Sequence, residues 1–119
     1  MSNASAQAHQ FYKDVAKSRE LWTIRKGGVF ANVQLQDGKT STPFWSTRTR
    51  IESLIKSVPS IAGSEPVRIT FDEFIRDWIP RIRQEQGLLG INWSGASLRG
   101  YNIDPDFVLR AITSYETED

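Results

Sequence analysis

The stretch from Thr42 to Val58 most constrains what this chain can fold into, because it reads as a strand end, a tight corner and a helix. Pro43 has no N–H to give a ladder, so it belongs at a sheet edge or near a strand end. Phe44 and Trp45 bring large aromatic area to the corner. Ser46 is the expected N-cap, since its hydroxyl can accept from the free N–H groups of a first helical turn. Ile51, Leu54, Ile55 and Val58 then fall at helical spacing on one apolar stripe, which places Leu54 in the core. Arg48, Glu52 and Lys56 lie off that stripe as i, i+4 neighbours. A strand running straight into a half-buried helix puts this corner in the middle of the fold.

Upstream, Ala8, Phe11, Tyr12 and Val15 keep helical spacing and predict a first helix from about Ser5 to about Ser18. Leu21 to Arg25 reads as a strand. Gly27-Gly28 and Asp37-Gly38 are hairpin-turn signals. Between them Val29, Ala31, Val33 and Leu35 alternate with Phe30, Asn32 and Gln34, a half-buried second strand. A third strand runs from about Thr40 to Phe44.

Downstream of the corner, residues 59–66 form a turn-rich loop and Val67 to Thr70 a short strand. Thr70 and Glu73 have the spacing of a capping box that opens the next helix. Phe71, Phe74, Ile75, Trp78 and Ile82 are its expected buried stripe. Pro80 predicts a kink or break near Ile79. Leu89, Ile91 and Trp93 alternate as a fifth strand, and 94–100 reads as a loop. Asp104-Pro105 begins a last helix, with aspartate as N-cap and proline at the first helical position. Ile103 and Val108 can staple its start, with Phe107, Val108, Ala111 and Ile112 facing inward. Residues 1–4 and 115–119 are expected to fray. The order α-β-β-β-α-β-α-β-α predicts an α+β class for one domain over 1–119. The expected architecture is one mixed sheet built on an antiparallel meander, with helices mostly on one face.

Length and composition narrow the function more than they define it. A chain of 119 residues can bury roughly two thirds of its unfolded surface, enough for a core without staples. Fifteen Lys+Arg against 14 Asp+Glu leave a net charge of +1, which argues against a specific nucleic-acid partner. There is no cysteine, which removes disulfides, thiolate metal sites and thiol nucleophiles and fits a cytoplasmic location. No apolar run approaches membrane-span length, so no membrane partner is expected. Asn92-Trp93-Ser94 matches a glycosylation sequon and reads as chance, since no secretion signal is recognisable.

Candidate sites each have a plain structural alternative. Gly95 to Gly100 has the glycine spacing of a Walker loop, but Tyr101-Asn102 stands where Lys and Ser or Thr should follow. What remains is an anion cradle around Ser94, Arg99 and Tyr101, or a simple connector. His9, the one histidine, is a general base in principle and a surface residue on the plainer view. Asp72, Glu73 and Asp77 cluster on one helix, yet Asp72 with Arg76 and Asp77 with Arg81 are ordinary i, i+4 pairs. Trp45, Ser46, Arg48 and Arg50 gather an aromatic surface, a hydroxyl and two cations at a helix start, a place that favours an acidic group. The alternative is a buried Trp45 with solvated arginines. No metal or cofactor site is expected. The leading functional expectation is a non-enzymatic protein-binding or regulatory module with an unknown protein partner. A small anionic-ligand sensor or enzyme using the 94–101 loop is the alternative.

The order Leu21-Trp22-Thr23-Ile24, Pro43-Phe44-Trp45-Ser46, Phe74 with Trp78-Ile79-Pro80, then Asn92-Trp93-Ser94-Gly95 and Gly100-Tyr101 resembles the bacterial domain-of-unknown-function family 2750. The resemblance runs from about Phe11 to Ile112 and rests on the order and spacing of these segments. It implies a small cytoplasmic bacterial protein and brings no catalytic residues. The strand–aromatic–serine–helix corner is also similar in layout to the N-terminal domain of SseB-type secretion-associated proteins, and layout alone does not fix function.

Overall fold

A computed structural model of the protein describes residues 3–116. Helix α1 (Asn3–Ser18) leads into β1 (Glu20–Lys26), and the chain turns back through β2 (Val29–Phe30). Gly27 and Gly28 both take positive φ, the pairing that a two-residue hairpin matched to strand twist requires. After β3 (Val33–Gln34) and β4 (Thr40–Phe44) comes α2 (Arg48–Ser57). Then β5 (Glu65–Thr70) leads into one helical run: α3 (Phe71–Glu73), a π-helical turn at Phe74–Trp78, and α4 (Ile79–Gln84). The hairpin β6 (Leu88–Ser94) and β7 (Arg99–Ile103) precedes α5 (Pro105–Glu116). Of the ends expected to fray, residues 3–4 lie in α1 and 115–116 in α5, while 1–2 and 117–119 lie outside the described residues.

The class is α+β, but the expected single sheet is two: β2-β1-β5 and β3-β4-β6-β7. Pro43 explains the division. Trp22 and Trp45 exchange both backbone hydrogen bonds at 2.8 Å, which would start an antiparallel ladder between β1 and β4. The next hydrogen-bonded position sets Ile24 opposite Pro43. Pro43 cannot donate, so the Ile24 carbonyl accepts from Ala31 N–H at 3.1 Å and the Pro43 carbonyl from the Thr23 hydroxyl at 2.8 Å. The chain crosses this fork at residues 31–32, so the expected second strand splits between the sheets. Its expected inward face is also corrected: Val29 and Val33 are exposed, and Phe30 packs edge-to-face on Trp78 at 4.9 Å.

Two cores lie on opposite faces. The larger takes Leu21, Phe44, Leu89 and Ile91 from the strands with residues of α1, α4 and α5. The smaller holds Trp22, Ile24, Trp45 and Trp93 against Ile51 of α2. Leu54 is half-buried at the edge of the smaller core rather than inside it. Trp93 departs from the expected alternation with Leu89 and Ile91. Asn92 sits at φ +45°, the pairing with β7 slips between Ile91 and Ser94, and this bulge turns the indole to the other face. There the ring lies on Gly90 and Gly100, where an added Cβ would collide with it.

The capping box is present, with Thr70 Oγ1 accepting from Glu73 N–H at 3.1 Å and Glu73 accepting from Thr70 N–H at 3.2 Å. These Thr70 hydrogen bonds hold the Glu73 carboxyl below its usual range. The irregularity expected near Ile79 is present as a π turn at Phe74–Trp78, just before Pro80. The widened turn carries an Ile79 N–H to Phe74 carbonyl bond, making room where the proline ring would crowd an ordinary one. It also shifts the stripe: Ile75 is 45% exposed and Ile79 takes the buried place. The expected i, i+4 pairs give way too, as Arg76 grips its neighbour Asp77 and Arg81 stacks on Trp78 at 4.9 Å.

Candidate functional site

The corner after β4 is built as a structural joint. Trp45 is 1% exposed and donates its indole N–H to the Trp93 carbonyl at 2.9 Å. The expected cap is displaced by one residue: Thr47 caps α2 by accepting from Arg50 N–H at 3.2 Å. Ser46, buried, instead donates to Asp14 at 2.7 Å and accepts from Asn92 Nδ2 at 3.1 Å. Asn92 Oδ1 in turn accepts from Ser46 N–H at 2.9 Å, and Nδ2 also donates to the Gln7 carbonyl at 3.2 Å. The sequon asparagine is therefore interior. Arg48 pairs with Glu52 at 3.0 Å and lies 5.6 Å from the Trp22 ring centre, while Arg50 donates to Gln7. Of the two readings of this corner, the structure has the buried Trp45, packed with Trp22, Trp93 and Ile51 in a closed, hydrogen-bonded seam, and not the open aromatic surface.

Of the 94–101 residues, Ser94 pairs opposite Arg99 across the β6–β7 hairpin, so both are strand residues rather than loop. The turn uses its own groups, Leu98 N–H donating to the Gly95 carbonyl at 3.1 Å. Tyr101 faces the same side as Ile91, its partner on β6, and is 40% exposed. The structure thus joins Trp45 to the base of this hairpin through Trp93, and it sends Tyr101 towards α1.

That side of the molecule holds the site the sequence did not disclose. Helices α1 and α5 meet along a cleft of about 380 Å³ lined by His9 and Tyr12 from the first and Phe107, Arg110, Ala111 and Tyr115 from the second. Asp104 holds the start of α5 as expected, accepting from Asp106 N–H at 2.8 Å, with Pro105 first in the helix. Pro105, Val108 and Ile112 turn to the core. This leaves Phe107 and Arg110 on the flank facing the cleft, so Phe107 is not inward as expected but 49% exposed. The Arg110 guanidinium lies 5.9 Å from the Phe107 ring centre and has no carboxylate partner among the described residues. His9 Nδ1 is 2.9 Å from the Tyr115 hydroxyl.

Two side-chain hydroxyls, those of Ser41 and Tyr12, are buried with no hydrogen-bond partner among the described residues, and only Tyr12, 5% exposed, lines this cleft. Burial, then the neighbouring Tyr115 and Tyr101 hydroxyls, push its pKa up to about 12, so it stays a donor across the neutral range. An unmatched buried donor costs about 1–3 kcal/mol and calls for an explanation. Among the described residues no carboxylate lines this cleft. Three other depressions, of about 260, 340 and 370 Å³, each carry one or two. The arrangement can therefore accept a group that is negative or rich in acceptors, seated against aromatic faces. Among the described residues no cluster of three His, Asp or Glu could hold a metal, and no helix is long and apolar enough to cross a membrane.

No sequence signal united these residues, since the two helices are at opposite ends of the chain. The nearest hint was a second stripe on α5, with Phe107, Arg110, Ala111 and Tyr115 at helical spacing beside the core stripe.

The fold and cleft describe an α+β domain with an aromatic recess between α1 and α5 that no carboxylate of the described residues lines. The family model described as Protein of unknown function (DUF2750) matches residues 8–112, and the chain belongs to that family. A comparison with curated proteins finds no match.

Proposed function

We propose that the protein is a non-enzymatic binding module that takes a small anionic ligand in the cleft between α1 and α5. The observation that carries this reading is that, among the described residues, the buried Tyr12 hydroxyl has no acceptor and the neighbouring Arg110 no carboxylate partner. The cleft volume falls within the small-molecule range. The Tyr12 oxygen is covered by its neighbours, so an acceptor reaches it only after a rim side chain turns aside, and the new hydrogen bond offsets that movement. This relocates the anion reading from the 94–101 hairpin, whose turn already uses its own N–H group. A protein partner offering an acidic side chain to the same cleft is the competing reading, favoured by the exposed Phe107 and Tyr101.

Amide chemical-shift titration of the whole chain with simple carboxylates tests the proposal. Saturable shifts at Tyr12, Arg110 and Ala111 are expected, and they weaken in Arg110→Gln. Shifts confined to the β6–β7 hairpin would defeat it. If free carboxylates leave the cleft unmoved while an Asp/Glu-rich peptide shifts it, the protein-partner reading takes its place.

A further inference from the structure

Resting on the anion reading of this cleft, we infer that its ligand is a planar aromatic ring bearing a single carboxylate. Four of the lining side chains are rings: His9, Tyr12, Phe107 and Tyr115. Rings of this kind favour a flat apolar partner through offset or edge contacts, which a puckered or branched body of equal volume cannot match. Among the described residues the lining supplies one permanent cation, Arg110, and no lysine, so one unit of negative charge is matched and a second is not. The guanidinium is a planar fork suited to a carboxylate, and its place beside the Phe107 face lets the same arginine flank a bound ring. Among the described residues the lining offers the cationic group of an amine or zwitterion no carboxylate, and Arg110 would repel it. Tyr12, a donor without an acceptor, then serves the second carboxylate oxygen or a ring acceptor ortho to it.

The test uses three probes of matched size on the full chain: benzoate, benzamide and cyclohexanecarboxylate, each titrated by amide chemical shift. Benzoate should bind in the cleft about tenfold or more tighter than benzamide, as expected for a charge-assisted pair. It should also bind about twofold to tenfold tighter than cyclohexanecarboxylate, the margin set by ring–ring contact. Arg110→Gln should erase the first margin and Phe107→Ala should narrow the second. Both residues are exposed, so both variants should keep the wild-type melting curve. Cyclohexanecarboxylate binding in the cleft as tightly as benzoate would overturn the ring, leaving the broader anion site standing. Benzamide equalling benzoate would overturn the carboxylate. No cleft shift with any probe would remove this inference together with the reading beneath it.

Discussion

The corner between β4 and α2 and the cleft between α1 and α5 share helix α1 and treat their polar groups in opposite ways. At the corner, Ser46, Asn92 and the Trp45 indole are almost wholly buried, and each has its donors and acceptors matched. In the cleft, Tyr12 is nearly as buried and its hydroxyl is not matched among the described residues. A matched buried network holds one arrangement rigidly, whereas an unmatched group lowers local stability and keeps a contact in reserve. The sequence made the corner look like the recognition surface, because tryptophan and arginine crowd together there. The structure spends that tryptophan on the joint and leaves the donor surplus elsewhere.

The contrast is open to attack by substitution. Trp45→Ala should cost about 3–5 kcal/mol, as for other large aromatic truncations in a core. Phe107→Ala, on the cleft rim, should cost far less in the same urea melts. Equal losses would mean that the cleft is as structural as the corner.

An alkaline titration comes next. Tyr12 is raised from 10.0 to about 12 in the folded chain. The stability that comes from keeping it neutral is full below about pH 10 and is lost as pH climbs through about 12, a loss capped at about 2.7 kcal/mol. The wild type should therefore fall more steeply than Tyr12→Phe between those limits, and parallel curves would show the phenol to be ordinary.

At neutral pH the two hydroxyls should respond with opposite signs. Ser46→Ala strips partners from Asp14 and Asn92 and should lose about 1–3 kcal/mol, while Tyr12→Phe should gain about 1 kcal/mol by removing an unmatched donor. A loss in both would reveal an acceptor for Tyr12. The smallest effect belongs to Arg48→Ala, whose exposed pair with Glu52 should be worth under about 1 kcal/mol by thermal melt.

What the sequence disclosed was local. The Thr70–Glu73 box, the Asp104-Pro105 start and the Gly27-Gly28 turn depend on neighbours a few positions apart, and all three are present. What it withheld depends on partners far along the chain. Pro43 read correctly as lying near a strand end, but only the approach of β1 decides that its missing N–H divides a sheet. Ile75 and Trp93 break their periodic patterns because the first lies within a π turn and the second follows a bulge, and neither irregularity has a spacing of its own. The cleft was hidden for the same reason, its two walls lying about a hundred residues apart.

The fork at Pro43 has a consequence for how this chain could change over time. Residues 29–34 hold their place because the Ile24 carbonyl has no suitor on β4. A Pro43→Val substitution supplies that suitor, and β1 and β4 could then zip into one continuous sheet, casting the 29–34 segment out as a surplus loop. That exchange would give up the edge-to-face contact of Phe30 on Trp78 and the packing of Ala31 on the smaller core. One imino acid thus acts as a bookmark, keeping a short passage of chain bound into the fold.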